Sequence, residues 1–351
     1  MIVKCVIWDL DNTLLSGVYL ESGTRPPAAD PAMRTAAVRL RDRGIIHAVA
    51  SRNPPAAARH AAQVTGLDFA AVECGWGRKS DAVLKIIEDL GIGPDAVAFV
   101  DDDLYERAEV SCAVPEALVL SPEDLADAVG WPQFSPAVVT AESRRRGQMY
   151  AQRRRRQEEA RAFGGSRDAF LRHCATEVTI APATAADVPR LHELSVRTRQ
   201  LNTSGEAMAQ SELRQLVSSP AHQVTTVRLS DKFGDDGIVG GCVVGCGVGP
   251  GAGRTWTVTL LMMSCRAMGR GVIDALLAWL ARSAAQGGAA TLSVPCLVSP
   301  SNVPLRLALA GSGFRASEDR SPQRPVAVFS RPVSGPLPEL PDWVISKVAG
   351  R

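Results

Sequence analysis

The apolar run Cys5-Val6-Ile7-Trp8 stops abruptly at Asp9-Leu10-Asp11-Asn12-Thr13. Four apolar residues in succession read as a buried strand. Side chains of a strand alternate, so Asp9 and Asp11 point the same way where the chain leaves the sheet. Two carboxylates that close repel each other unless a cation or a shared proton relieves them. The pattern therefore asks for a buried strand ending in a divalent-metal site, an acid/base pair, or both. A turn and helix cap built by Asp and Asn is the plainer alternative. On these residues alone the two stand level.

The residues up to about 135 decide between them. A second apolar run, Val97-Ala98-Phe99-Val100, ends in Asp101-Asp102-Asp103 about ninety residues later, which is room for two or three strand–helix units. Between the two lie Ile45-Ile46-His47-Ala48-Val49-Ala50, ending in Ser51, and Lys79 just ahead of a helix. Helical patterns cover Pro31 to Arg43, Pro55 to Thr65, and Ser80 to Leu90, the last closed by Gly91. Alternating strands and helices predict a doubly wound parallel sheet. Such a sheet brings its strand ends to one edge, where open α/β folds bind ligands. Asp9, Asp11, Ser51, Lys79 and Asp101/Asp102 are then expected to converge there. Tyr19 to Asp30, with Gly and two adjacent Pro, is too irregular for a helix.

The chain has 351 residues, 46% hydrophobic and 22% charged, with a formal net charge of +2. Its length suits two domains and its composition a soluble globular protein. The charge balance excludes a chain-wide polyanion binder or an acidic tail. No apolar run of membrane-spanning length is present, and the first strand begins too early for an export signal. A cytoplasmic location is expected, with the eight cysteines as reduced thiols and none in a zinc spacing. His47, inside an apolar strand, is expected in the core.

From about 136 to 175 the composition changes. Arg144-Arg145-Arg146 and Arg153-Arg154-Arg155-Arg156 surround Met149, Tyr150 and Gln157-Glu158-Glu159. A solvated linker helix with intrahelical Arg–Glu pairs is favoured over a binding patch. If it binds a partner, an acidic carrier protein fits better than nucleic acid, which has no supporting motif. From 176 to about 335 the order changes again. Glu177-Val178-Thr179-Ile180 reads as an edge strand and Asp187 to Arg199 as a helix. Strands follow at Gln223 to Ser230, Gly237 to Gly247 and Thr255 to Met263, then Gly269-Arg270-Gly271 opens a helix through Ala285. Residues 336–351 read as a tail.

The first 135 residues resemble the haloacid dehalogenase (HAD) superfamily, whose four motifs are matched in order by Asp9-Leu10-Asp11-Asn12-Thr13, Ser51, Lys79 and Asp101-Asp102. That resemblance implies Asp9 as nucleophile and Asp11 as acid/base. Ser51 and Lys79 would bind phosphoryl oxygens. Mg²⁺ would be held by Asp9, the main-chain carbonyl of Asp11, and Asp101 or Asp102. Asn12, Thr13, Arg52 and Asn53, in the same motifs, are expected to bind substrate. Residues 176–335 resemble the GNAT acyltransferases, with Gly269, Arg270 and Gly271 at the place where that fold receives a pyrophosphate or pantetheine. The loop Cys265-Arg266-Ala267-Met268-Gly269-Arg270-Gly271 departs from the usual GNAT pattern, so Gly269 and Gly271 also read as simple turn residues. The expected fold class is α/β: a HAD-like doubly wound parallel sheet, an Arg-rich helical linker, then a GNAT-like α+β domain.

The two halves in this order resemble the FkbH-like proteins, of the HAD subfamily IIIC type. Ala50-Ser51-Arg52-Asn53, Gly75-Trp76-Gly77-Arg78-Lys79-Ser80, Phe99-Val100-Asp101-Asp102 and Arg197-Thr198-Arg199-Gln200-Leu201-Asn202 carry that resemblance. It implies transfer of a glyceryl unit from 1,3-bisphosphoglycerate to the phosphopantetheine thiol of an acyl carrier protein, with loss of phosphate, for methoxymalonyl-type extender units or tetronate rings. A relay cysteine is also implied. Ala50 stands where some members are expected to carry it; by context the candidates are Cys74, five residues before Lys79, and Cys265, next to Arg266. Two other readings stay open: a small-molecule phosphatase with a structural second half, and an inactive module that docks a carrier.

Overall fold

The computed structural model describes residues 2–136, 138–248, 254–317 and 325–348; the last three residues of the expected tail lie outside these. Two compact units divide the chain, Met1–Glu159 and Ala160–Arg351.

In the first unit strands and helices alternate. The order is β1 (Cys5–Trp8), α1 (Pro31–Asp42), β2 (Ile46–Ser51), α2 (Pro55–Thr65), β3 (Phe69–Cys74), α3 (Lys79–Leu90), β4 (Val97–Val100), α4 (Leu104–Ala113), β5 (Leu118–Leu120) and α5 (Pro122–Ala128). The sheet runs β3-β2-β1-β4-β5 with every pairing parallel. Its central strand explains the apolar run that opens the sequence. Val6 and Trp8 belong to the core on one face, Cys5 and Ile7 to the core on the other. A strand covered on both faces keeps no polar position. Helix signals act where the sequence places them. Asp30 caps α1 by accepting from the amides of Ala32 and Met33, and α3 ends at Gly91 in the left-handed region at φ 63°.

The Arg-rich stretch forms α6 (Ala141–Arg144) and α7 (Arg146–Ala162). Met149 and Tyr150 are buried. Several arginines are engaged with backbone carbonyls of their own unit: Arg146 with Gly44, Arg153 with Leu90 at 3.5 Å and Arg154 with Phe69 at 3.3 Å. The expected Arg–Glu pairing is present at Arg154–Glu158, 3.7 Å apart. The helix is thus tied down by the cations that make its sequence look like a binding patch.

The second unit contains α8 (Arg167–His173), β6 (Thr176–Pro182), α9 (Val188–Arg197), α10 (Gln210–Ser218), β7 (His222–Asp231), β8 (Gly234–Val248), β9 (Arg254–Met263), α11 (Val272–Gln286), β10 (Thr291–Leu297), α12 (Val303–Gly311), β11 (Arg315–Ala316), β12 (Val326–Pro332) and β13 (Val344–Val348). Its sheet order is β11-β12-β10-β9-β8-β7-β6-β13. Neighbours from β6 to β9 are antiparallel, whereas β9–β10 and β6–β13 are parallel. The expected α/β class is observed, a doubly wound parallel sheet in the first unit and an α+β unit with a mixed sheet in the second. One strand differs. Glu177-Val178-Thr179-Ile180 is not an edge, because residues 344–348 pair alongside it, Val344 with Thr176 through Val348 with Ile180. The free amides and carbonyls of an exposed edge invite such a partner. No helix among the described residues is long and apolar enough to cross a membrane.

His47 lies in the first core as expected, its Nδ1 accepting from the Trp8 indole at 3.0 Å. Burial lowers its pKa from 6.5 to about 3. The unfolded chain therefore takes a proton at His47 near pH 6.5, which the folded chain refuses until about pH 3. Its contribution is complete above pH 6.5 and is lost as pH falls toward 3, at up to about 1.4 kcal/mol per pH unit. Urea unfolding at a series of pH values should show this slope, and His47→Asn, which keeps an acceptor for Trp8, should flatten it while lowering stability at pH 7. An unchanged slope in the variant would refute the assignment.

Candidate active site

The carboxyl ends of β1 and β4 are neighbours in the sheet, so Asp9 and Asp101 emerge side by side. Lys79, the first residue of α3, sends its ammonium between them. Nζ lies 2.6 Å from Asp9 Oδ1 and 2.6 Å from Asp101 Oδ2, with all three side chains buried. Burial pushes the Asp9 carboxyl up to about 6; Lys79 opposes this and Asp101 adds to it. Burial also holds Asp101 above the ordinary carboxylate range, against the pull of Lys79. For Lys79, burial favours the neutral amine, but the two carboxylates outweigh it and keep the ammonium. The group is a cation shared by two acids, with one negative charge in excess.

Asp11 stands in a tight turn, Leu10 to Leu14, that closes with the Leu15 amide on the Leu10 carbonyl at 2.8 Å. Asn12 takes the left-handed conformation there, φ 50°, which Asn tolerates better than most residues. Both carboxylate oxygens of Asp11 are held: Oδ1 accepts from the Tyr19 amide at 3.0 Å, and Oδ2 from Asn53 Nδ2 at 2.9 Å. Asn53 also donates to Ser51 Oγ at 3.1 Å. The end of β2 therefore reaches the acid/base candidate and the phosphate-binding candidate through one side chain. Thr13 accepts from the Asp102 amide at 3.0 Å and donates to Asp102 Oδ1 at 3.2 Å, joining the turn after β1 to the loop after β4.

Asp9, Asp101 and Asp102 each offer an oxygen within 4.8 Å of the other two. Hard carboxylate oxygens, few in number, fit Mg²⁺. Arg107 donates to the main-chain oxygens of Asp101 and Asp102 at 2.6 and 2.7 Å, which fixes the loop carrying two of the three donors.

Other expected residues fall around or away from this cluster. Arg52 is paired with Glu106 at 3.0 Å. Cys74 ends β3; burial, with Glu73 beside it, pushes its thiol up to about 11, so it is neutral at pH 7. Cys265 and Gly269-Arg270-Gly271 belong to the second unit. There the Arg270 guanidinium donates to Asp236 at 2.5 Å and Asp231 at 2.7 Å. Gly271 is glycine for two visible reasons. Its φ is +76°, and a Cβ would lie 2.8 Å from Val344 and 3.0 Å from the Trp343 indole nitrogen. Sequence reasoning gave no role to Glu109, which accepts from the Ser80 hydroxyl at 2.5 Å and so ties α3 to α4, nor to the Tyr19 amide. A backbone donor leaves no trace in the residue types.

No family model and no curated protein matches the sequence. Among solved structures, the chain is similar over 38% of its length to the N-terminal part of BF1531 from Bacteroides fragilis, containing a phosphatase domain complexed with Mg (30% identity, TM-score 0.33). That match spans 39% of the other chain. Over 44% of its length it is similar to aminoglycoside acetyltransferase AAC(6')-Ib in complex with coenzyme A, with 15% identity, 94% of that chain covered and a TM-score of 0.34. Over 46% it is similar to the ribosomal-protein-S18-alanine N-acetyltransferase from Escherichia coli, with 14% identity, 98% covered and a TM-score of 0.34.

Removing the Lys79 charge leaves two buried carboxylates facing each other. Lys79→Met should cost about 3–5 kcal/mol in denaturant unfolding, and millimolar Mg²⁺ should recover more stability in the variant than in the parent. A variant as stable as the parent without Mg²⁺ would contradict the account of this cluster.

Proposed function

We propose that the chain is a Mg²⁺-dependent HAD-type phosphatase and glyceryltransferase of the FkbH-like kind, acting in the cytoplasm on 1,3-bisphosphoglycerate and an acyl carrier protein. The observation that carries the phosphoryl-transfer part is the buried Asp9–Lys79–Asp101 array, with Asp11 held alongside by Asn53 and the Tyr19 amide. The glyceryl and carrier parts rest on the motif resemblance of both halves.

The proposed chemistry has an acyl part and a phosphoryl part. A thiol attacks the acyl carbon of the bisphosphate; the sulfur–carbon bond forms and the carbon–oxygen bond to phosphate breaks, releasing inorganic phosphate. Cys74 or Cys265 is the proposed relay thiol; the carrier's pantetheine sulfur then attacks the thioester carbon, its bond to that carbon forms as the cysteine sulfur–carbon bond breaks, and its proton passes to the cysteine. Asp9 then attacks the remaining phosphate monoester at phosphorus. Its oxygen bonds to phosphorus as the bond to the sugar-acid oxygen breaks, and Asp11 gives that oxygen a proton. Water attacks the aspartyl-phosphate at phosphorus, Asp11 takes the water's proton, and Asp9 returns to a carboxylate. Ser51 and Lys79 bind the phosphoryl oxygens throughout. Mg²⁺, on Asp9, Asp101, Asp102 and the Asp11 carbonyl, would supply neutralisation of phosphoryl charge. A phosphatase without the acyl step is the second reading, favoured by the neutral Cys74 thiol.

Incubation with Mg²⁺, 1,3-bisphosphoglycerate and holo-carrier should add a dephosphorylated glyceryl mass to the carrier. Asp9→Asn should instead leave phosphoglyceryl on it. Phosphate release with no carrier adduct would select the plain phosphatase reading.

A further inference from the structure

A cavity of about 200 Å³ opens beside the phosphoryl site and shares Ser51 and Lys79 with it. From there it extends along the loop between β3 and α3, under Gly75, Gly77 and Arg78, to Lys85. Three of the four cations on its wall are engaged. Lys79 is held by Asp9 and Asp101, Arg52 by Glu106, and Lys85 by Glu73 at 2.8 Å. Arg78 is exposed, and among the described residues it forms no ion pair, not even with Asp81 one turn on in the same wall.

The two glycines need a reason to be glycine. Neither takes a positive φ, and a Cβ on either would meet nothing within 4 Å. Backbone conformation and packing therefore do not require them. Both line the cavity, so larger side chains there stand at its wall. A space lined by two glycines and by a guanidinium with no ion pair among the described residues, and sharing Ser51 and Lys79 with a phosphoryl site, suits the far end of a phosphorylated substrate.

We propose that this cavity is a second anion subsite that receives the distal phosphate or carboxylate of a substrate carrying two anionic groups, with Arg78 as its specificity-determining cation and Gly75 and Gly77 as the residues that keep it open. The proposal rests on the phosphoryl-transfer reading of Asp9 and Lys79 and adds the place and the residues that would receive a second anionic group. It does not depend on acyl transfer.

Calorimetric titration of the full chain in Mg²⁺ separates the two. Propylphosphonate carries one anionic group; propane-1,3-bisphosphonate and 3-phosphonopropionate add a distal phosphonate or carboxylate. The parent should bind at least one of the two dianionic probes about tenfold more tightly than propylphosphonate, the gain of one charge-assisted contact, and the stronger of the two names the distal group. Arg78→Gln and Gly77→Val should each abolish that preference, leaving propylphosphonate affinity and thermal stability close to those of the parent. A parent that binds propylphosphonate without preferring either longer probe, or a preference that survives both substitutions, overturns the subsite alone. Failure of the parent to bind any of the three removes the phosphoryl-site reading and the subsite with it.

Discussion

Everything in the first unit is arranged around one ammonium group. Lys79 Nζ sits between two buried carboxylates at 2.6 Å from each. At that depth a charge without a partner costs several kcal/mol, and two acids without a cation cost more. The array is therefore stable only if β1, β4 and the start of α3 are held in register. The parallel pairings on both sides of β1 do this for the acids. The Ser80–Glu109 bond and the Asp103 amide on Asp101 Oδ1 do it for the loops. The remaining excess of negative charge, with Asp102 close by, is of the kind that a divalent cation neutralises.

That arrangement also assigns the acids different duties. Asp9 is buried, with its pKa raised to about 6, whereas Asp11 is fixed by two neutral donors, an amide nitrogen and Asn53. In the proposed reaction the carboxylate tied to the lysine is the nucleophile. The one held by neutral donors at the turn after β1 is the proposed acid/base.

Legibility in the sequence followed the range of the interaction. Unbroken apolar runs ending in Asp located β1 and β4, since a strand covered on both faces leaves that trace, and Pro31 and Gly91 marked helix ends by local backbone rules. The convergence of Asp9, Asp11, Ser51, Lys79 and Asp101 followed from parallel-sheet topology alone. What stayed hidden depends on long-range pairing. Nothing local announces that residues 344–348 would cover β6, or that Arg270 would be taken by Asp231 and Asp236. Arg-rich α7 misleads in the same way, because carbonyl acceptors such as Phe69 and Leu90 are invisible in a list of side chains.

The most direct test of the central claim is chemical trapping at the nucleophile. After rapid acid quench of the turning-over enzyme, borohydride reduction and peptide mapping should find the aspartyl-phosphate at Asp9, reduced to the alcohol. Phosphoryl turnover with no trapped species at Asp9, or with the phosphoryl group trapped at Asp11 or Asp101, would contradict the account.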